Sequence, residues 1–274
     1  MEAALQTMCI EEEIEKNGIY QALQKTKEIG YRFIEISGHL DLTDKFLTDL
    51  KKASQELDVR VCAVSCTYGG PFAEPVRFAG KRALSLTGNY DEAVQTLKSL
   101  GCDTLRFAGL PTGEIETEED LYRYCRVTQG YAERLKADGI RLCAHNHVGE
   151  FAKINGHTLF ERTLEWAPDL NYEMDIFGVQ MSGMSPIDFL AMAKGRVPLI
   201  HFSDIAVKRS KDVLFSDKML ERVPMGSGNF NLRAIFDAAS AAGVEYMVME
   251  AVRSEGSSGF AAMKSAKETF DRYI

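Results

Sequence analysis

Short apolar runs of β type alternate with longer helical patterns along the chain, and eight such pairs can be counted. The runs cover about 4–9, 31–36, 59–64, 104–107, 141–144, 171–174, 199–202 and 246–249. The helical patterns that follow them cover about 19–28, 43–57, 90–100, 118–138, 158–166, 187–193, 232–242 and 259–273. Gly30, Gly101, Gly139 and Gly243 stand where helices would stop, Pro186 stands where one would open, and Asp41 or Thr43 is placed to cap another. Strict β-then-α alternation implies parallel strands.

Eight is the number of units that closes a (β/α)8 barrel, and 274 residues fit the roughly 250 such a barrel takes. An open doubly wound sheet shares the alternation. No GxGxxG follows the first run, so a dinucleotide site has no support. Composition does not break anywhere, which predicts one α/β domain over residues 1–274.

In a barrel the residues at the carboxyl ends of the strands meet at one mouth. The last four runs lead to Glu150, Asp175, His201 and Glu250. Any one of them alone is an ordinary cap or loop residue; together they form a ligand set of three carboxylates and one imidazole. Hard oxygen donors suit Mn²⁺, the expected ion, as well as Mg²⁺ or Co²⁺, and Zn²⁺ is also compatible. The spacing of Glu150 is the loosest, since it follows its run through His145-Asn146-His147-Val148-Gly149. His145 or His147 is an alternative ligand from that strand, or a contact to substrate or to the ion's outer shell. With a dication the four ligands carry about −1, so a neutral polyol or ketose can displace waters and chelate.

The net charge of −8 is adverse to a phosphodiester backbone, so nucleic acid is not an expected partner. No run of 18 apolar residues is present, and the first residues lack the basic start and apolar stretch of a secretory signal. A cytoplasmic protein that meets no membrane is therefore expected. The six cysteines contain no CxxC pair and are read as small buried hydrophobes in a reducing compartment, without zinc or disulfide roles.

The stretches His145–Phe151, Met174-Asp175-Ile176-Phe177, Pro198–Asp204, Met225-Gly226-Ser227-Gly228 and Val248-Met249-Glu250 resemble the sugar phosphate isomerase/epimerase family of xylose isomerase-like TIM barrels. The run Lys27–Glu35 resembles that family's first helix-to-strand turn. The resemblance implies one divalent ion, often Mn²⁺, held by Glu150, Asp175, His201 and Glu250. It implies that Glu150 and Glu250 face each other across the substrate as proton-transfer groups. His147 is expected to join them in catalysis, and His145, Asn146, Phe177 and Glu35 to bind a small sugar. Two positions depart from the family pattern. Ser203 stands where many members carry Lys, and Phe177 where many carry Trp or His; both bear on the substrate rather than the metal.

A metal that polarises a carbonyl makes the adjacent C–H acidic. Returning the proton to the other face epimerises, returning it to the neighbouring carbon isomerises, and losing a β-hydroxyl dehydrates. The alternatives are therefore an inosose or keto-sugar dehydratase, a non-catalytic sugar-binding barrel and, against the charge and the five histidines, an apurinic endonuclease. A homo-oligomer is compatible with the exposed helices. Glu35 and His39 are placed to line the mouth. Gly226 and Gly228 let backbone amides approach a ligand or simply make a turn. Lys208-Arg209-Ser210-Lys211, within a polar insertion over 207–223, reads as a solvated loop, and Trp166 as a packing residue.

Overall fold

The computed structural model describes residues 1–72, 80–208, 219–250 and 259–274. Eight strands run parallel: β1 (Glu2–Gln6), β2 (Phe33–Ile36), β3 (Arg60–Thr67), β4 (Thr104–Ala108), β5 (Arg141–His145), β6 (Asn171–Asp175), β7 (Leu199–Phe202) and β8 (Tyr246–Met249). Each pairs with the next in chain order, and β8 pairs back onto β1 through Ala3↔Met247 and Ala4↔Val248. The ring is closed, a TIM barrel, as the alternation implies.

Ten helices are described: α1 (Glu11–Asn17), α2 (Ile19–Glu28), α3 (Asp44–Leu57), α4 (Tyr90–Leu100), α5 (Glu118–Ala137), α6 (Leu159–Trp166), α7 (Ile176–Met181), α8 (Pro186–Met192), α9 (Leu232–Ala242) and α10 (Gly259–Phe270). Their starts carry local signals. Thr43 caps α3 by accepting from the Phe46 amide at 3.2 Å. Thr117 with Asp120 and Thr158 with Glu161 close reciprocal capping boxes on α5 and α6. Such caps contribute about 1 kcal/mol each.

Three elements differ from the sequence expectation. The first strand, expected to reach residue 9, ends at Gln6, because the Gln6 side chain accepts from the Met8 amide at 2.7 Å and turns Thr7–Ile10 into a 3-10 helix. The short helix α1 buries only Ile14 and so shows no apolar stripe. The short helix α7 is started by Asp175, which caps it with its own carboxylate. The insertion over 207–223 begins and ends in an antiparallel ribbon, in which Asp204–Val207 pairs with Leu220–Val223. Lys208 bonds Glu221 at 2.5 Å, and Arg209–Lys211 lie outside the described residues.

Side chains alternate across each strand, so residues two apart share a face. Ala4, Cys62, Cys143, Leu199 and Val248 form a small apolar cluster apart from the main helix–sheet core. Two residues further along four of those strands, on the same face, come Gln6, His145, His201 and Glu250. A polar tier thus sits above an apolar floor. Beneath the floor, at the amino ends of the strands, Arg141 joins Asp103 at 3.0 Å and also Glu245. All six cysteines are buried, as expected. No helix among the described residues is long and apolar enough to cross a membrane.

Candidate active site

The polar tier opens at the carboxyl ends of the strands into a cleft of about 250 Å³. Gln6, Ser65, Lys81, Arg106, His147 and Glu250 are among the side chains that line it, with His145 and His201 at its base. The Lys81 ammonium donates to the His39 carbonyl at 2.7 Å and pairs with Glu11 at 3.2 Å, which tethers one wall.

Two charged residues that the sequence reading passed over anchor the base. Arg106 on β4 donates to Glu35 Oε1 from Nε at 3.1 Å and Nη2 at 2.8 Å, and its Nε lies 3.3 Å from Glu173 Oε2. Glu35 and Glu173 are both fully buried. Two carboxylates buried side by side do not readily ionise together, so one of them favours its protonated form. Burial and the neighbouring Glu35 charge push Glu173 well above the usual carboxylate range. Glu35 is held well below it: burial opposes its charge, and Arg106 and His201 outweigh burial. Glu173 is therefore the protonated partner. His145 meets Glu173 Oε2 through Nδ1 at 2.9 Å, and burial together with the nearby cations pushes its imidazole well below the usual histidine range.

His201 stands between this base and the mouth. Its Nε2 is 3.6 Å from Glu35 Oε1 and its Nδ1 is 3.8 Å from Glu250 Oε2. Among the described residues neither nitrogen has a hydrogen-bond partner, although the residue is buried. Burial disfavours its cation, but the surrounding carboxylates, Glu35 and Glu250 among them, hold its pKa up at about 9.

At the mouth, Asp175 Oδ1 accepts from the Phe177 amide at 3.1 Å and Oδ2 from the Gly178 amide at 3.2 Å. Its Oδ2 also meets Arg222 Nη2 at 3.1 Å. Arg222, on the ribbon strand Leu220–Val223, bonds Glu250 Oε2 through Nη1, reaches Ser203 Oγ at 3.4 Å and lies 4.0 Å above the centre of the Phe177 ring. Glu150 is turned onto backbone: its two oxygens accept the Leu110 amide at 2.8 Å and the His147 amide at 2.9 Å. Asn146 staples β5 to β6, accepting from the Asp175 amide at 3.0 Å and donating to the Asp175 carbonyl at 3.3 Å.

Of the four residues expected to bind substrate, His145 lines the cleft. Glu35 lies beneath it, Asn146 is spent on backbone, and Phe177 carries Arg222. Of the four expected metal ligands, Asp175 and Glu250 meet on one guanidinium with His201 beside Glu250, while Glu150 sits on amides. Gly226 and Gly228 direct their amides to Asp204 Oδ2 at 3.0 and 3.1 Å, which makes a turn rather than an open anion cradle. Arg106 and Glu173 were visible as charges at inward positions of otherwise apolar strands. Arg222 was announced only by the missing cation at Ser203.

The donor chemistry fits a divalent cation. Among the described residues, Glu35, Glu173 and His201 offer ligand atoms within 4.8 Å of one another, and Glu35 Oε2, Glu173 Oε1 and both His201 nitrogens lack other partners. Asp175 and Glu250 both pair with one cation, the Arg222 guanidinium.

The chain belongs to the xylose isomerase-like TIM barrel family, whose profile matches residues 23–272. Among solved structures, a sugar phosphate isomerase/epimerase from Parabacteroides distasonis ATCC 8503 is similar over 98% of this chain and 97% of that one, at 20% identity and a TM-score of 0.79. The IOLI protein, solved with a binding zinc atom, is similar over 100% and 98% of the two chains, at 18% identity and a TM-score of 0.73. A probable 3-DHS dehydratase, AsbF, from Bacillus anthracis is similar over 99% of each chain, at 13% identity and a TM-score of 0.70. At these identities the likeness is one of fold. No curated protein sequence matches the chain.

Proposed function

We propose that the chain is a divalent-metal-dependent isomerase or epimerase that moves a proton at a carbon next to a carbonyl of a small sugar. The observation that carries the reading is that Glu250 and the buried His201 line one cleft in the barrel mouth, with Asp175 joined to Glu250 through the Arg222 guanidinium. The family match and a zinc-bearing structural neighbour support a cation there. The cleft is somewhat smaller than the roughly 300–1,000 Å³ of pockets for drug-sized ligands, in keeping with one monosaccharide.

Asp175, His201 and Glu250 are proposed to hold the ion, with Glu150 as the fourth donor; Mn²⁺ suits the carboxylate-rich set. When bound, the ion supplies polarisation of the substrate carbonyl. Glu250 lines the cleft and removes the proton α to that carbonyl as an ionised base. His147, on another wall, returns a proton to the opposite face or to the adjacent oxygen. Glu150 fixes His147 by accepting its backbone amide, and so sets where that imidazole points. His145, at the base and short of protons, accepts a sugar hydroxyl; Gln6 and Ser65 offer further polar contacts.

The test combines metal analysis of purified protein with proton NMR of a ketose panel in deuterated water. Wild type is expected to carry a divalent ion and to exchange one substrate C–H for deuterium, and Glu250→Gln to lose at least a hundredfold of that rate. Bound metal without exchange on any ketose sinks the isomerase reading; loss of water without exchange assigns the chain to the lyases instead.

A further inference from the structure

Arg222 belongs to the ribbon, outside the barrel, yet its fork closes on two barrel carboxylates at once. Nη2 takes Asp175 Oδ2 at 3.1 Å and Nη1 takes Glu250 Oε2. Asp175 is almost fully buried, whereas the Arg222 side chain is 28% exposed, so the carboxylates are the fixed partners and the guanidinium the removable one. Phe177 supports the fork from one face, and Ser203, small where a lysine would fill the space, leaves room for it. A divalent ion sits about 2.0–2.2 Å from carboxylate oxygens. An ion taking Asp175 Oδ2 and Glu250 Oε2 would draw on the same two acceptors that Arg222 now holds, so the two cations compete for them.

We infer that Arg222 is the counter-cation of the unloaded site: it competes with the divalent ion for Asp175 and Glu250 and is expelled when the ion binds. The inference rests on the metal-dependent reading above. Without Arg222 the two carboxylates face each other uncompensated, and the site gains affinity for an ion twice over, through loss of a competitor and through unrelieved repulsion. Charge-assisted bonds of this kind correspond to roughly ten- to a hundredfold in an equilibrium constant.

The experiment is calorimetric titration of chelator-stripped protein with Mn²⁺, comparing wild type, Arg222→Ala and Arg222→Lys, each checked for fold by circular dichroism. Arg222→Ala is expected to bind Mn²⁺ roughly ten- to a hundredfold tighter than wild type, with Arg222→Lys in between, because it keeps the charge but not the two-pronged grip. If the alanine variant fails to fold, Arg222→Gln carries the same comparison. A second readout is the rate at which phenylglyoxal modifies Arg222, followed by peptide mass spectrometry; Mn²⁺ is expected to raise it. Equal or weaker Mn²⁺ binding by the variants, with wild type still binding, overturns the competition and leaves the metal reading standing. Absence of Mn²⁺ binding in wild type and variants alike overturns both.

Discussion

Arg106 faces two buried carboxylates with one charge, and removing a carboxylate should behave differently from removing that charge. Replacing Glu173 with Gln exchanges a protonated carboxyl for a neutral group of nearly the same shape. The amide oxygen can still accept from Arg106, and the amide nitrogen can still donate toward Glu35. The expected cost is below about 1 kcal/mol. Replacing Arg106 with Met removes the guanidinium that donates two hydrogen bonds to Glu35 Oε1, in a residue with no exposed surface. Breaking a buried pair by removing one member costs roughly 3–5 kcal/mol. Glu35→Gln should cost less than Arg106→Met, because Glu173, 3.3 Å from the Arg106 guanidinium, can ionise in its place. The double variant Arg106→Met/Glu35→Gln should recover most of the loss, because partners in contact do not add. Urea unfolding of metal-free protein at neutral pH, followed by circular dichroism, gives all four values. If Glu173→Gln is as damaging as Arg106→Met, Glu173 carries a charge and the assignment of the shared proton is refuted.

The His201 pKa, held at about 9 against an ordinary value of 6.5, makes stability depend on pH. Its contribution is fully present below pH 6.5 and is lost as pH rises through about 9, up to roughly 3 kcal/mol in the metal-free protein. Thermal midpoints of chelator-treated protein should fall over that window in wild type and stay flatter in His201→Gln; matching slopes would refute the shift. A methyl group added at Gly228 would meet Asp204 Oδ1 at 2.3 Å and the Ile205 carbonyl at 2.4 Å. Gly228→Ala is therefore expected to lower stability by roughly 1–3 kcal/mol, measured by urea unfolding, and an unchanged midpoint would show that the turn relaxes freely. The Phe160 ring stacks on Phe189 at 4.2 Å within the helix–sheet core. Phe160→Ala should cost roughly 3–5 kcal/mol, and a loss below about 1.5 kcal/mol would mean that the core closes over the gap.

The barrel was legible in the sequence because each strand is an apolar run and each helix a longer periodic one, punctuated by Gly30, Gly101, Gly139 and Gly243. Glu11–Asn17 was not, because a helix that buries only Ile14 leaves no stripe to see. Strand-end residues were the readable part of the mouth: His201 and Glu250 line the cleft, and Asp175 meets Glu250 through Arg222. Glu150 illustrates the limit. Sequence spacing brings a carboxylate to the right neighbourhood, but which way it turns depends on the amides of Leu110 and His147, donors that every sequence possesses and none advertises. Arg222 was hidden for a different reason. It reaches the mouth from an antiparallel ribbon that no β-then-α pattern foretells. Arg106 and Glu173 were hidden by habit, since a charge inside an apolar strand is readily taken for one on its outer face.

The Arg141 clasp on Asp103 and Glu245, together with the apolar floor above it, has a bearing on turnover. On the proposed function, with the far end of the cylinder closed in this way, product must depart by the doorway through which its precursor came. Traffic is then single-file, each departure preceding the next arrival, and accumulated product should slow the reaction by occupying the same seat.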